Sequence, residues 1–135
     1  MAVVGTDPID VGALLDAVSH PERGGAVLFV GSVRRGPEDG PVVEIDYTAY
    51  EEMAEEEFGR ILTDARDRWP GAGFAARHRL GVVQVGEASI AVAAAAPHRR
   101  DAFDAARWIV DQAKERLPVW KREHFAGGRR SWRES

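Results

Sequence analysis

The sequence predicts one mixed domain of helices and strands, and three observations carry that prediction. Short stretches alternate strictly between apolar and polar residues, two long segments repeat apolar residues at helical spacing, and 135 residues at 44% hydrophobic content suffice for one core. Two comfortable domains would need a longer chain.

Asp10 can cap a short helix in which Val11, Leu14, Leu15 and Val18 follow the i, i+3, i+4, i+7 rhythm. His20 to Gly25 breaks it. Ala26 to Val30 is a continuous apolar run, expected as a strand buried on both faces. Arg35 to Pro41 is dense in turn formers, and Val43, Ile45, Tyr47 and Ala49 then alternate with polar neighbours, which predicts a half-buried strand antiparallel to the preceding one.

Glu51 to Trp69 reads as a helix with Ala54, Phe58, Ile61, Leu62, Ala65 and Trp69 on its buried stripe. Acids crowd its first turns and Arg66 and Arg68 its last, as the helix dipole favours; Glu55-Glu56-Glu57 is expected as a solvated face. Pro70-Gly71 ends it. Phe74, Ala76, His78 and Leu80 mark the inner face of a further strand, with His78 expected as a buried histidine bonded to backbone. Val82 to Val85 is a short strand closed by Gly86, and Ala88 to Ala96 is a small-residue strand with Ile90 and Val92 facing the core. The last helix begins near Pro97-His98-Arg99-Arg100 and stops at Pro118, burying Ala102, Phe103, Ala106, Ile109, Val110, Ala113 and Leu117. Trp108 falls outside that stripe and is expected to need a second partner surface.

No cysteine occurs, which excludes disulfides, thiolate catalysis and a cysteine zinc site, and fits a cytoplasmic setting. The four histidines show no metal-ligand spacing, so neither metal nor other cofactor is expected. No leader segment and no membrane-length apolar run is seen, so a soluble protein away from membranes is expected. Residues 1–95 hold 8 basic and 16 acidic side chains; residues 96–135 hold 10 basic and 6 acidic. That pattern argues against nucleic acid, which wants a basic face over the whole domain, and suits a focused pocket for a small anion.

Only two of the 18 basic residues are lysine, Lys114 and Lys121, and they bracket one short stretch at the expected helix stop. Lysine, unlike arginine, can give up its proton when desolvated, so a site that moves protons or needs an amine would retain it. At 100° per residue Lys114 sits beside Val110 at the edge of the buried stripe, with a packed stem and a partly desolvated amine. Arg34 after the apolar strand and His98-Arg99 at a helix start are further candidates, the latter as a phosphate seat at a helix N-terminus. Arg35, Arg100 and Arg116 are as readily explained by exposed charges at helix ends. Proton transfer and electrostatic stabilisation around an anionic substrate is the chemistry left.

Five stretches, Phe29-Val-Gly-Ser-Val-Arg34, Tyr47-Thr-Ala-Tyr-Glu-Glu-Met53, His78 through Glu87, Pro97-His-Arg99 with Phe103, and Lys114 through Pro118-Val-Trp-Lys-Arg-Glu123, run in family order across residues 26–123. In them the chain resembles the large, catalytic subunits of molybdopterin synthase. The resemblance implies one α+β domain over residues 1–135, mostly antiparallel with a hammerhead-type β motif, two main helices and a short N-terminal one. It implies a homodimer, assembled as a heterotetramer with a ubiquitin-like small subunit whose C-terminal Gly-Gly thiocarboxylate donates sulfur. Two transfers would turn cyclic pyranopterin monophosphate, a pterin phosphate, into molybdopterin, and the lack of cysteine would follow because the partner carries the sulfur. The family's substrate-contacting strand end falls on Ser32, Val33 and Arg34, its phosphate-holding pair on His98 and Arg99, and its functional lysines on Lys114 and Lys121, followed by Arg122 and Glu123. The resemblance assigns Lys114 to the incoming thiocarboxylate and anionic intermediate and Lys121 to proton transfer. It leaves open a part for Arg129, Arg130 or Arg133. The competing reading is a non-catalytic module that docks a ubiquitin-like tail or a phosphorylated metabolite on the same cations.

Overall fold

The computed structural model describes residues 3–35, 42–126 and 130–134, the last stretch for its backbone alone. The turn-rich run after Arg35 lies outside the described residues. The elements are β1 (Val4–Gly5), α1 (Val11–Val18), β2 (Gly25–Ser32), β3 (Val42–Ala49), α2 (Glu51–Arg68), β4 (Gly73–Arg79), β5 (Gly81–Gln84), β6 (Ala88–Ala96), α3 (Arg99–Arg116), β7 (Val119–Phe125) and β8 (Arg130–Glu134). They form two four-stranded sheets, ordered β1-β4-β6-β2 and β5-β3-β7-β8. The β1–β4 pair is parallel and every other pair antiparallel, an α+β arrangement as expected.

The first sheet is organised around β6. Its Ile90, Val92 and Ala94 face the main core with Phe58, Ile61 and Ile109, while Ala91, Ala93 and Ala95 face Leu14 and Val18 of α1. A strand covered on both faces must read as continuously apolar, and alanines let both layers come close. The two-faced burial expected for the Ala26–Val30 run therefore belongs to β6. Among the described residues β2 is the sheet's edge, paired only with β6, and Phe29 and Val30 remain 39% and 40% exposed. Nor does β2 pair with β3, which lies in the second sheet between β5 and β7. The expected antiparallel pairing of β3 with the preceding strand is therefore not made, since alternation fixes a face and not a partner.

The chain crosses between sheets at Leu80-Gly81. The Leu80 amide closes onto the Gly5 carbonyl at 2.7 Å, and Gly81 turns with φ +83°, a conformation that side-chain-bearing residues rarely adopt. A second tie joins the end of β2 to the β5–β6 turn, where the Val33 amide donates to the Glu87 carbonyl and the Gly86 amide to the Val33 carbonyl.

The helices obey their end chemistry. The Asp10 side chain accepts the Ala13 amide at 3.1 Å and so caps α1. In α2 the acidic run is not simply solvated: Glu55 accepts the Val3 and Val4 amides at 2.8 Å each and holds β1 in place, and Glu57 pairs with Arg116 at 2.7 Å. Arg116, which also reaches Asp64, thereby fastens α3 to α2. Trp108 finds its second surface on α2 as well, 5.8 Å from the Trp69 ring with the Arg68 guanidinium 4.6 Å above it, so no other subunit is needed to cover it.

Phe58 is fully buried and Met53, five residues earlier in the same helix, is exposed. Phe58→Ala should cost about 3–5 kcal/mol of stability, whereas Met53→Ala should stay within about 0.5 kcal/mol. Urea unfolding followed by tryptophan fluorescence measures both.

Candidate active site

Lys114 lies in the last turn of α3, just after buried Ala113. His78, Ile90, Ala113, Lys114 and Leu117 enclose a hollow of about 10 Å³, so the lysine stem is packed although more than a third of the residue is exposed. Partial burial lowers the amine's pKa from its ordinary value, and the charge of Lys121 lowers it further. The two lysines bracket the helix stop as expected, and Lys121 lies beyond it. After Pro118 the chain enters β7, and Lys121 stands there directly across from Tyr47 of β3. The two lysines thus reach one place from different elements.

Strand alternation sorts the neighbours of Lys121. Val119, Glu123 and Phe125 share its face and are buried, whereas Arg122 belongs to the opposite face, in register with Asp46. Glu123 is therefore grouped with the lysines and Arg122 is not.

Behind the lysines lies a polar layer that the sequence reading did not assign. The Tyr47 ring meets His78 edge-on at 5.2 Å, joining the second sheet to the first. Tyr47 is hydrogen-bonded to Ser89, whose hydroxyl donates to the Gly31 carbonyl at 3.2 Å, one residue before the strand end at Ser32. Burial raises the Tyr47 pKa, opposed by the bond to Ser89 and reinforced by Glu123. A tyrosine at an inward position needs a partner for its hydroxyl, the signal that could have marked it. His78 is buried and bonded to backbone as expected: its Nδ1 lies 2.9 Å from the Arg79 carbonyl, to which it can only donate. Burial pushes the ring pKa down to about 4, against the opposing effect of that bond and with some help from Lys114.

The remaining candidates divide between two ends of the molecule. Ser32 and Arg34 are exposed at and just past the finish of β2, where Gly31 pairs with Ile90, a residue that lines the hollow beside Lys114. Val33, between them, has its side chain buried and both backbone polar groups bonded within the chain. His98, the α3 N-cap, and Arg99 are exposed at the other end of that helix. Fifteen residues at the helical rise put them about 22 Å from Lys114. A glycine is required where they meet β2, since a Cβ on Gly25 would come within 2.8 Å of the Arg99 Cα. One chain therefore holds the expected phosphate seat apart from the lysines. Arg129 lies outside the described residues, and of Arg130 and Arg133 only the β8 backbone is described, with Arg133 in register with Lys121.

A histidine neutral when folded and free to protonate when unfolded makes stability fall with acid. The unfolded chain takes up a proton below about pH 6.5 that the folded one refuses until about pH 4, so at pH 5 the penalty is about 2 kcal/mol. Comparing urea midpoints of the wild type and His78→Phe at pH 7 and pH 5 checks this: the wild type should lose that much more on acidification.

The chain and its fold are similar to one family. Residues 4–116 match the MoaE protein family. The molybdopterin synthase catalytic subunit of Culex quinquefasciatus is 39% identical over 132 residues, covering 96% of this chain and 84% of that protein. The crystal structure of molybdopterin synthase from Staphylococcus aureus superposes with a TM-score of 0.93 at 28% identity, over 99% of this chain and 97% of the other. A chain from a complex of subunits 1 and 2 of molybdopterin-converting factor of Helicobacter pylori shares the fold, with a TM-score of 0.75 at 23% identity over 96% and 87% of the two chains. A 113-residue family match together with a relative of this identity and coverage settles membership: the chain belongs to the MoaE protein family.

Proposed function

We propose that this chain is the catalytic large subunit of a molybdopterin synthase. It moves sulfur from the C-terminal Gly-Gly thiocarboxylate of a ubiquitin-like small subunit onto cyclic pyranopterin monophosphate, and two such transfers yield molybdopterin. The observation that carries this reading is the meeting of the chain's only two lysines, one from α3 and one from β7, around partly desolvated ground in a protein without cysteine. Lys114 receives the thiocarboxylate and stabilises the anionic intermediate; its lowered pKa keeps proton exchange within reach. Lys121 donates or accepts the proton. Glu123 lies on the same face of β7 as Lys121, and Ser32 and Arg34 border the substrate from the strand end. Val33 supports them through its backbone bonds, and Arg122 acts from the outer face of β7.

The partner is supported by the Helicobacter pylori assembly, in which a chain of this fold stands with a second subunit. A homodimer, and with two small subunits a heterotetramer, is supported by the free edge of β2, by exposed Phe29, Val30 and Phe103, and by an apolar groove of about 380 Å³ between β2 and α3. It also resolves the separation within one chain: His98 and Arg99 of one copy serve as phosphate seat for the lysines of the other. A cytoplasmic location fits the lack of cysteine. Among the described residues no helix is long and apolar enough to cross a membrane.

Purified protein mixed with the pterin precursor and thiocarboxylated small subunit should form molybdopterin. Lys121→Ala should abolish product while leaving the circular dichroism spectrum unchanged. Lys114→Arg and Lys121→Arg should fail too, because charge without a removable proton does not suffice; retained activity in both would favour the docking-module reading instead.

Mixing refolded Arg99→Ala and Lys114→Ala proteins tests the shared site. Half the dimers would be mixed and carry one intact site of two, so about a quarter of wild-type activity should return. A site built within one chain would give none.

A further inference from the structure

The imidazole of His78 does more than fill space. Its ring is fixed on one side by the edge contact with Tyr47 and on another by the bond from Nδ1 to the Arg79 carbonyl. A carbonyl oxygen only accepts, so Nδ1 carries the hydrogen and Nε2 is left with a lone pair. The hollow that His78 lines is the one bordered by Lys114, Ala113, Ile90 and Leu117, whose other side chains are apolar.

We propose that His78 is a positioning residue for Lys114: locked as its Nδ1–H tautomer, it offers an uncharged acceptor, Nε2, to the lysine ammonium across that hollow. The inference rests on Lys114 being the working amine. A carboxylate in the same place would lock the lysine in its charged state, and an apolar side chain would let the half-buried amine lose its proton too readily and leave its direction unset. A neutral imidazole orients the amine and moderates its proton loss without neutralising it. Burial keeps the ring neutral across the physiological range. The other titratable groups around Lys114 are Lys121 on β7, which opposes its charge, and behind it Tyr47 and Glu123, the second of which acts electrostatically on the first; Glu57 and Asp64 of α2 are engaged by Arg116. β6 contributes only the neutral Ile90 and Ser89.

The chain's lysine count makes a direct test practicable. Reductive methylation with ¹³C formaldehyde puts NMR labels on two side chains and the α-amine, and the signal lost in Lys114→Arg is that of Lys114. In His78→Phe the Lys114 midpoint should fall by about one pH unit, while His78→Gln, which retains an acceptor oxygen, should hold it near the wild-type value. An unmoved midpoint in a folded His78→Phe protein, or equal shifts in the two variants, would overturn the proposal. Should His78→Phe not fold, ¹⁵N spectra of wild-type histidine decide: an Nδ1–H tautomer titrating near pH 4 supports the proposal, and an Nε2–H tautomer or a midpoint near pH 6.5 sinks it. None of these measurements uses substrate, so they stand apart from the Lys114→Arg activity assay that tests the enzyme reading itself.

Discussion

The edge contact between Tyr47 and His78 is the joint on which the site depends. β3 and β4 lie in different sheets, and these rings are where the sheets touch beneath the lysines. Tyr47 stands across from Lys121, His78 shares a hollow with Lys114, and Ser89 links Tyr47 to the carbonyl just before the Ser32–Arg34 strand end. The relative placement of three separate chain segments is thus set through one buried aromatic pair, with Tyr47 bonded to Ser89 and His78 Nδ1 to the Arg79 carbonyl. Such a network gives a single geometry because every alternative leaves a buried polar atom unpaired.

The scaffold around that joint is built for close approach. β6 supplies alanine on the α1 side and alternates Ile90, Val92 and Ala94 toward α2 and α3, so helices can lie on both faces of one central strand. Charged groups reinforce it where packing is thin. Glu55 ties down the two-residue β1, which could not stand on a ladder so short, and Arg116 bridges the two long helices through Glu57 and Asp64. The same acidic run therefore serves the fold rather than a ligand.

Electrostatics at the site work by subtraction. Partial burial and the nearby charge of Lys121 weaken the hold of Lys114 on its proton, and the residues lining the hollow beside it carry no carboxylate. In an overall acidic chain this leaves a local cationic spot suited to an anionic ligand, while the amine stays able to exchange a proton.

Much was legible from residue order. Periodicity located three helices and the strands from Ala26 to Ala96 within a residue or two, because side-chain spacing is a property of the local backbone, and the scarcity of lysine singled out Lys114 and Lys121 because their chemistry differs from arginine in any fold. Which apolar strand would be central was not legible. Ala26–Val30 is the more hydrophobic run, yet it became an edge and the alanine strand took the middle, since sheet order depends on how close the layers must come. Residue order likewise placed Lys121 beside a helix stop and Arg122 and Glu123 together, where a strand separates that pair onto two faces. Trp108 found its partner on another helix, and His98-Arg99 ended a full helix length from the amines they were grouped with. Local spacing determines which way a side chain points along its own element; only packing between elements decides what it points at.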